Sequence, residues 1–132
     1  MQYCVKSAAV TAWFCDTSRF PHHRWKYAAL TLTLDISSCC TLAAHADGCE
    51  VTTIEGLSAR PEFARMEAAF TRHAALQCGF CTPGMLLTVS SLLATDELPN
   101  EDAIKRNLSG NLCRCTGYRG IIEAVADLAG VK

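Results

Sequence analysis

Glycine is missing from the first 47 residues of this 132-residue chain: all eight glycines lie at Gly48 or beyond. Glycine is the residue that reaches positive φ at little cost, so a loop wound closely around a ligand is not expected in that stretch. Long apolar runs are lacking too, and none approaches the roughly 20 residues that a membrane-spanning helix requires. Charge of one sign is not in excess: 12 Lys and Arg stand against 13 Asp and Glu, a formal net charge of -1. Such a balance offers no electrostatic basis for holding nucleic acid or an anionic membrane. The amino terminus carries Lys6 and the apolar stretch from Ala8 to Phe14 but no small-residue cleavage site before Cys15, so a cytoplasmic location is expected. Also absent are a nucleophile-base pair, a phosphate loop and an arrangement of paired carboxylates, which argues against substrate chemistry on this chain.

What is present begins with apolar residues, 50% of the chain, and only 19% that are charged. That composition suits a packed chain of one domain or two very small ones. Nine cysteines are the extreme number. An odd count without an export signal argues against a complete disulfide framework and favours metal ligation.

The two parts of the chain differ in kind, with a boundary expected near Gly56 to Arg60, giving domains 1–57 and 58–132. In the first, Leu30, Leu32, Leu34 and Ile36 alternate with Thr31, Thr33 and Asp35, the period of a half-buried strand. Asp47-Gly48 reads as a tight turn, and Glu50 to Ile54 as a strand leaving it. His22, His23 and Trp25 form a polar, aromatic patch best read as irregular surface.

The second part predicts four helices. Pro61 and Glu62 open the first, whose inner face is Phe63, Met66, Ala69 and Phe70. Thr82 is expected to cap the second, with Pro83 at its first position and Met85, Leu86, Val89, Leu92 and Leu93 directed inward. Asn100 caps the third, with Glu101 and Asp102 in its first turn and Ile104 and Leu108 facing the core. Thr116 is expected to cap the fourth, whose inner residues are Ile121, Ile122, Val125 and Leu128. Short connections make neighbouring helices antiparallel. His45 and His73 read as surface or boundary residues.

Cys78 and Cys81 fall between the first and second of these helices, and Cys113 and Cys115 between the third and fourth. The pattern is Cys78-x2-Cys81-x31-Cys113-x-Cys115, and 31 residues suffice to run up one helix and down the next. Both loops then lie at one end of the bundle, which gathers four thiols. Four thiolates suit either an iron-sulfur cluster or tetrahedral zinc. Cys113-x-Cys115 is tighter than the usual zinc knuckle, Gly79 and Gly84 let backbone come close, and Arg114 adds positive charge, all of which favour iron-sulfur. A zinc-stabilised interaction module and a remnant that binds nothing remain as alternatives; a reddish-brown colour distinguishes the cluster from both.

Two longer motifs make the chain recognisable. Ala75-Leu-Gln-Cys-Gly-Phe-Cys-Thr-Pro-Gly-Met85 and Leu108-Ser-Gly-Asn-Leu-Cys-Arg-Cys-Thr-Gly-Tyr118 closely resemble the iron-sulfur small subunit of the molybdenum hydroxylases, the family of xanthine dehydrogenases and aerobic carbon monoxide dehydrogenases. The resemblance runs from about Ser38 to the end. It implies an α+β chain: a degenerate plant-ferredoxin-like β segment followed by a four-helix domain holding a 2Fe-2S cluster on Cys78, Cys81, Cys113 and Cys115. It further implies that Gln77 and Cys115 touch the molybdopterin of a separate large subunit, and that electrons pass onward toward FAD on a medium subunit.

The resemblance fails at the other end. Members of the family hold a second cluster on a glycine-rich Cys-x4-Cys-x2-Cys loop with a fourth cysteine further on. Cys39, within Ser38-Cys39-Cys40-Thr41-Leu42-Ala43, matches that fourth ligand, but its three companions are missing. Cys4 and Cys15 have ten residues between them and no glycine nearby, and cannot supply the loop. Residues 1–36 carry no family pattern, as a shifted reading frame or a misplaced start in the gene would produce, the alternative being a genuinely divergent one-cluster protein; one cluster per chain is expected.

Overall fold

The structure, a computed structural model, describes residues 42, 44, 51–94 and 99–131. Five helices make up the described part: α1 (Ile54–Ser58), α2 (Pro61–Arg72), α3 (Thr82–Leu93), α4 (Glu101–Leu108) and α5 (Arg119–Ala129). The strand expected over Leu30 to Ile36, the Asp47-Gly48 turn, Cys39 and the histidine patch lie outside the described residues.

The strand expected over Glu50 to Ile54 is corrected. Val51 to Thr53 are irregular and Ile54 begins α1. Threonine and valine favour strands mainly where a neighbouring strand gives their side chains something to pack against. Here the burial lies elsewhere: one helical turn places Leu57 in the core with no exposed surface. α1 lies against both α2 and α3.

Each longer helix has a local cause. Before Pro61, Arg60 is held extended at φ -87° and ψ 145°, as proline demands of the residue before it, and α2 begins at the proline itself. The Asn100 side chain accepts the Ala103 N–H at 2.8 Å, so the predicted cap of α4 forms. In α5 the chain stops at Gly130, whose φ of 70° suits a residue without Cβ.

At the centre sits α3. Gly84 to Val89, Ser91 and Leu92 are all buried, so this helix is enclosed around most of its circumference rather than presenting one stripe. It packs on α1, α4 and α5, while α2 runs along α5 and α4 closes against α5. Phe70, Leu57, Met85, Leu87, Ile104, Leu108, Ile121, Val89 and Val125 are fully buried. Each such side chain stabilises by about 1.5–3 kcal/mol through the apolar surface it removes from water.

Polar contacts join α2 to α5. Arg65 Nη2 donates to the Leu128 carbonyl at 2.7 Å. Asp127 Oδ2 takes Arg72 Nη1 at 2.7 Å and lies 3.2 Å from His73 Nε2. At the other end of α5, Gly120 meets the α2–α3 loop so closely that a Cβ there would stand 2.4 Å from the His73 carbonyl oxygen. This approach brings the loop after α2 and the loop before α5 to one end of the bundle. Among the described residues no helix is long and apolar enough to cross a membrane.

Candidate metal centre

The two loops meet through their cysteines. Cys115 Sγ donates to Cys78 Sγ at 3.5 Å, and Cys81 hydrogen-bonds Cys113. Cys78 and Cys115 are exposed, whereas Cys81 and Cys113 are half-buried beneath them. All four thiols expected from the spacing are therefore brought together. No three of the described His, Cys, Asp or Glu side chains are set as a cage for a single metal ion; the sulfurs stand instead as two contacting pairs.

Local backbone places these pairs. Gly79, between Cys78 and Phe80, has φ +80° and turns the chain so that the Phe80 N–H points back at the Cys78 sulfur. That N–H, followed by the Cys115 thiol, holds Cys78 below its ordinary value, while the same contact with Cys78 raises Cys115. In the deeper pair, burial pushes Cys81 up to about 11, with the Cys113 contact adding to it. Burial opposes ionisation of Cys113 as well, but the Thr116 hydroxyl and the Thr116 and Cys115 N–H groups outweigh it and bring this thiol down to about 7. Each pair therefore couples one sulfur whose ionisation is eased to one whose ionisation is opposed.

The Cys113–Cys115 loop is closed by Tyr118. Its hydroxyl accepts the Cys113 N–H at 2.9 Å and donates to the Asn111 carbonyl at 2.8 Å. Asn111, itself buried, donates from Nδ2 to Thr88 Oγ1 at 2.8 Å, tying the loop to the central helix. Tyr118 has φ 66°, unusual for a bulky residue. A strain of about 1–2 kcal/mol is the expected cost of that conformation.

Two threonines depart from the roles predicted for them. Thr82 does not cap α3: Cys81 occupies the cap position without a side-chain bond, and Thr82 Oγ1 is buried with no partner. Thr116 does not cap α5, which starts at Arg119; its oxygen accepts the Tyr118 N–H at 3.2 Å and lies 3.1 Å from Cys113 Sγ. The sequence reading assigned no role to Asn111 or Tyr118.

Gln77 is exposed beside Cys78, and Cys115 is exposed across from it, so these two residues share the outer side of the centre. Around them Leu76, Phe80 and Leu112 are exposed at 39%, 52% and 85%, which leaves apolar surface on either side of the cysteines. Arg114 is exposed as well. The donor set fits an iron-sulfur group: four thiols without a competing oxygen or nitrogen ligand, backbone N–H groups directed at sulfur, and two pairs of sulfurs, one pair for each iron of a binuclear cluster.

A helical body with paired cysteines in its two apical loops and N–H groups turned toward sulfur defines an iron-sulfur carrier. Residues 53–126 match the 2Fe-2S binding domain family. The nicotine 6-hydroxylase small subunit of Paenarthrobacter nicotinovorans is 47% identical over 105 residues, covering 77% of this chain and 63% of that protein. The xanthine dehydrogenase iron-sulfur-binding subunit of Escherichia coli is 40% identical over 112 residues, covering 79% and 69%. Among solved structures, quinoline 2-oxidoreductase from Pseudomonas putida 86 matches with a TM-score of 0.64 and 50% identity, over 72% of this chain and 59% of that one. The chain belongs to the family of 2Fe-2S small subunits of xanthine dehydrogenase and related molybdenum hydroxylases. It spans about half to two-thirds of the length of the curated relatives it matches.

Proposed function

We propose that this chain is the electron-transfer subunit of a molybdopterin-dependent hydroxylase or dehydrogenase, placed between a molybdopterin-binding large subunit and an FAD-binding medium subunit. The observation that carries the reading is the meeting of Cys78 with Cys115 and of Cys81 with Cys113 at one end of the bundle. Those four cysteines are the ligands, and the domain from about residue 58 onward holds them. Bound there, a 2Fe-2S cluster supplies reversible one-electron transfer.

The chain's own residues do the rest. Phe80, Thr116 and Cys115 N–H groups offset negative charge on sulfur. Thr88, Asn111 and Tyr118 keep the Cys113 loop in one shape, and a rigid surrounding limits reorganisation when charge changes. Gln77 and Cys115, on the outer side, are the residues assigned to the pterin of the large subunit. Leu76, Phe80 and Leu112 support the assignment, since their exposed apolar surface flanks the same tip and a partner would cover it. Cys39 remains the match for a fourth ligand of a second cluster whose other ligands this sequence lacks. The enzyme is expected in the cytoplasm.

Full-length protein purified without oxygen and reduced with dithionite tests the reading. A reddish-brown solution with a rhombic EPR signal supports it. A colourless, zinc-loaded protein would favour the interaction-module alternative and overturn it.

A further inference from the structure

Thr116 Oγ1 sits between two groups of opposite demand. On one side it accepts the Tyr118 N–H at 3.2 Å; on the other it lies 3.1 Å from Cys113 Sγ, where either atom can be the donor in the free protein. A threonine hydroxyl has one hydrogen and two lone pairs. With the Tyr118 N–H occupying a lone pair, the hydrogen is free to turn toward sulfur. A metal-bound cysteine has lost its own proton, so at Cys113 the hydroxyl becomes the donor. Tyr118 is in turn held by its phenol between Asn111 and Cys113, so the N–H that orients the hydroxyl is fixed by the same loop that carries the ligand.

We propose that the Thr116 hydroxyl donates a hydrogen bond to the Cys113 sulfur and raises the reduction potential of the cluster, making Thr116 a tuning residue rather than a helix cap. The inference rests on the reading of Cys113 as a ligand. One-electron reduction adds negative charge that is shared by the sulfur ligands, and a donor to sulfur stabilises that charge more in the reduced than in the oxidised form.

The test uses full-length protein loaded anaerobically, with iron and sulfide counted before the midpoint potential is measured by EPR-monitored titration. Thr116→Val is expected to hold the wild-type iron content while its reduced-to-oxidised ratio at fixed potential falls about tenfold, which is about 59 mV for a one-electron couple. Thr116→Ser restores the wild-type potential. A fully loaded Thr116→Val protein with an unchanged potential would overturn the proposal. Should valine not load, Thr116→Ala takes its place: a lower potential than Thr116→Ser supports the proposal, and equal potentials contradict it. Failure of every hydroxyl-free variant to take iron also overturns it, since the hydroxyl would then be required for assembly. A wild-type protein without iron defeats the ligand assignment itself, a separate outcome.

Discussion

The Cys113 N–H donates to the hydroxyl of Tyr118 at 2.9 Å, across four intervening residues that include Cys115. The backbone of Cys113 is thus anchored by an aromatic side chain that also reaches the Asn111 carbonyl.

Tyr118→Phe keeps the ring and removes both bonds, leaving the Cys113 N–H and the Asn111 carbonyl without this partner. Unmade hydrogen bonds at half-buried positions cost about 1–3 kcal/mol. The expected outcome is a lower thermal midpoint and faster loss of visible absorbance when a chelator is added. Equal bleaching rates for wild type and variant would show that the phenol does not hold the loop.

Gly120 tests the approach of α5 to the α2–α3 loop. A Cβ at this position would stand 2.4 Å from the His73 oxygen and 3.2 Å from that of Ala74, both backbone atoms that cannot swing aside. Gly120→Ala is expected to destabilise by about 1–3 kcal/mol through backbone displacement. Gly110→Ala, where nothing lies within 4 Å, is the comparison. Urea denaturation of both should separate them clearly, and matching midpoints would contradict the close approach.

How much of this was legible in the sequence depends on the range of the forces involved. The core faces of α2, α4 and α5 follow from helical periodicity, a local property, and so does the Asn100 cap. Convergence of the cysteines follows as well, because loop position and chain length constrain it. The strand expected over Glu50 to Ile54 does not form, since β propensity is decided by neighbours, and here Leu57 finds its burial in a helix. Thr82 and Thr116 resemble caps in sequence, yet one lies inside the first turn and the other is held by Tyr118. The Tyr118 bridge depends on a left-handed backbone at a non-glycine residue, which no pattern of residue types announces.

The join between α2 and α5 carries a pH dependence. Hydrogen bonding from His73, and then the charge of Arg72, hold the Asp127 carboxyl below its ordinary 3.8. A depressed carboxyl stabilises the fold fully above its unfolded value, and that contribution is lost as pH falls through the lower folded value. The difference in urea midpoint between wild type and Asp127→Asn is therefore expected to be present near neutrality and to close in acid, below the ordinary carboxyl value. A difference that stays constant into acid would mean that the ion pair contributes nothing.

Iron and acid-labile sulfide per chain, measured on anaerobically prepared protein alongside Cys39→Ala and Cys113→Ala, address the central claim most directly. The account predicts two irons and two sulfides for the 2Fe-2S domain in the wild type, the same in Cys39→Ala, and loss of both in Cys113→Ala. Four irons in the wild type, or none, would contradict it.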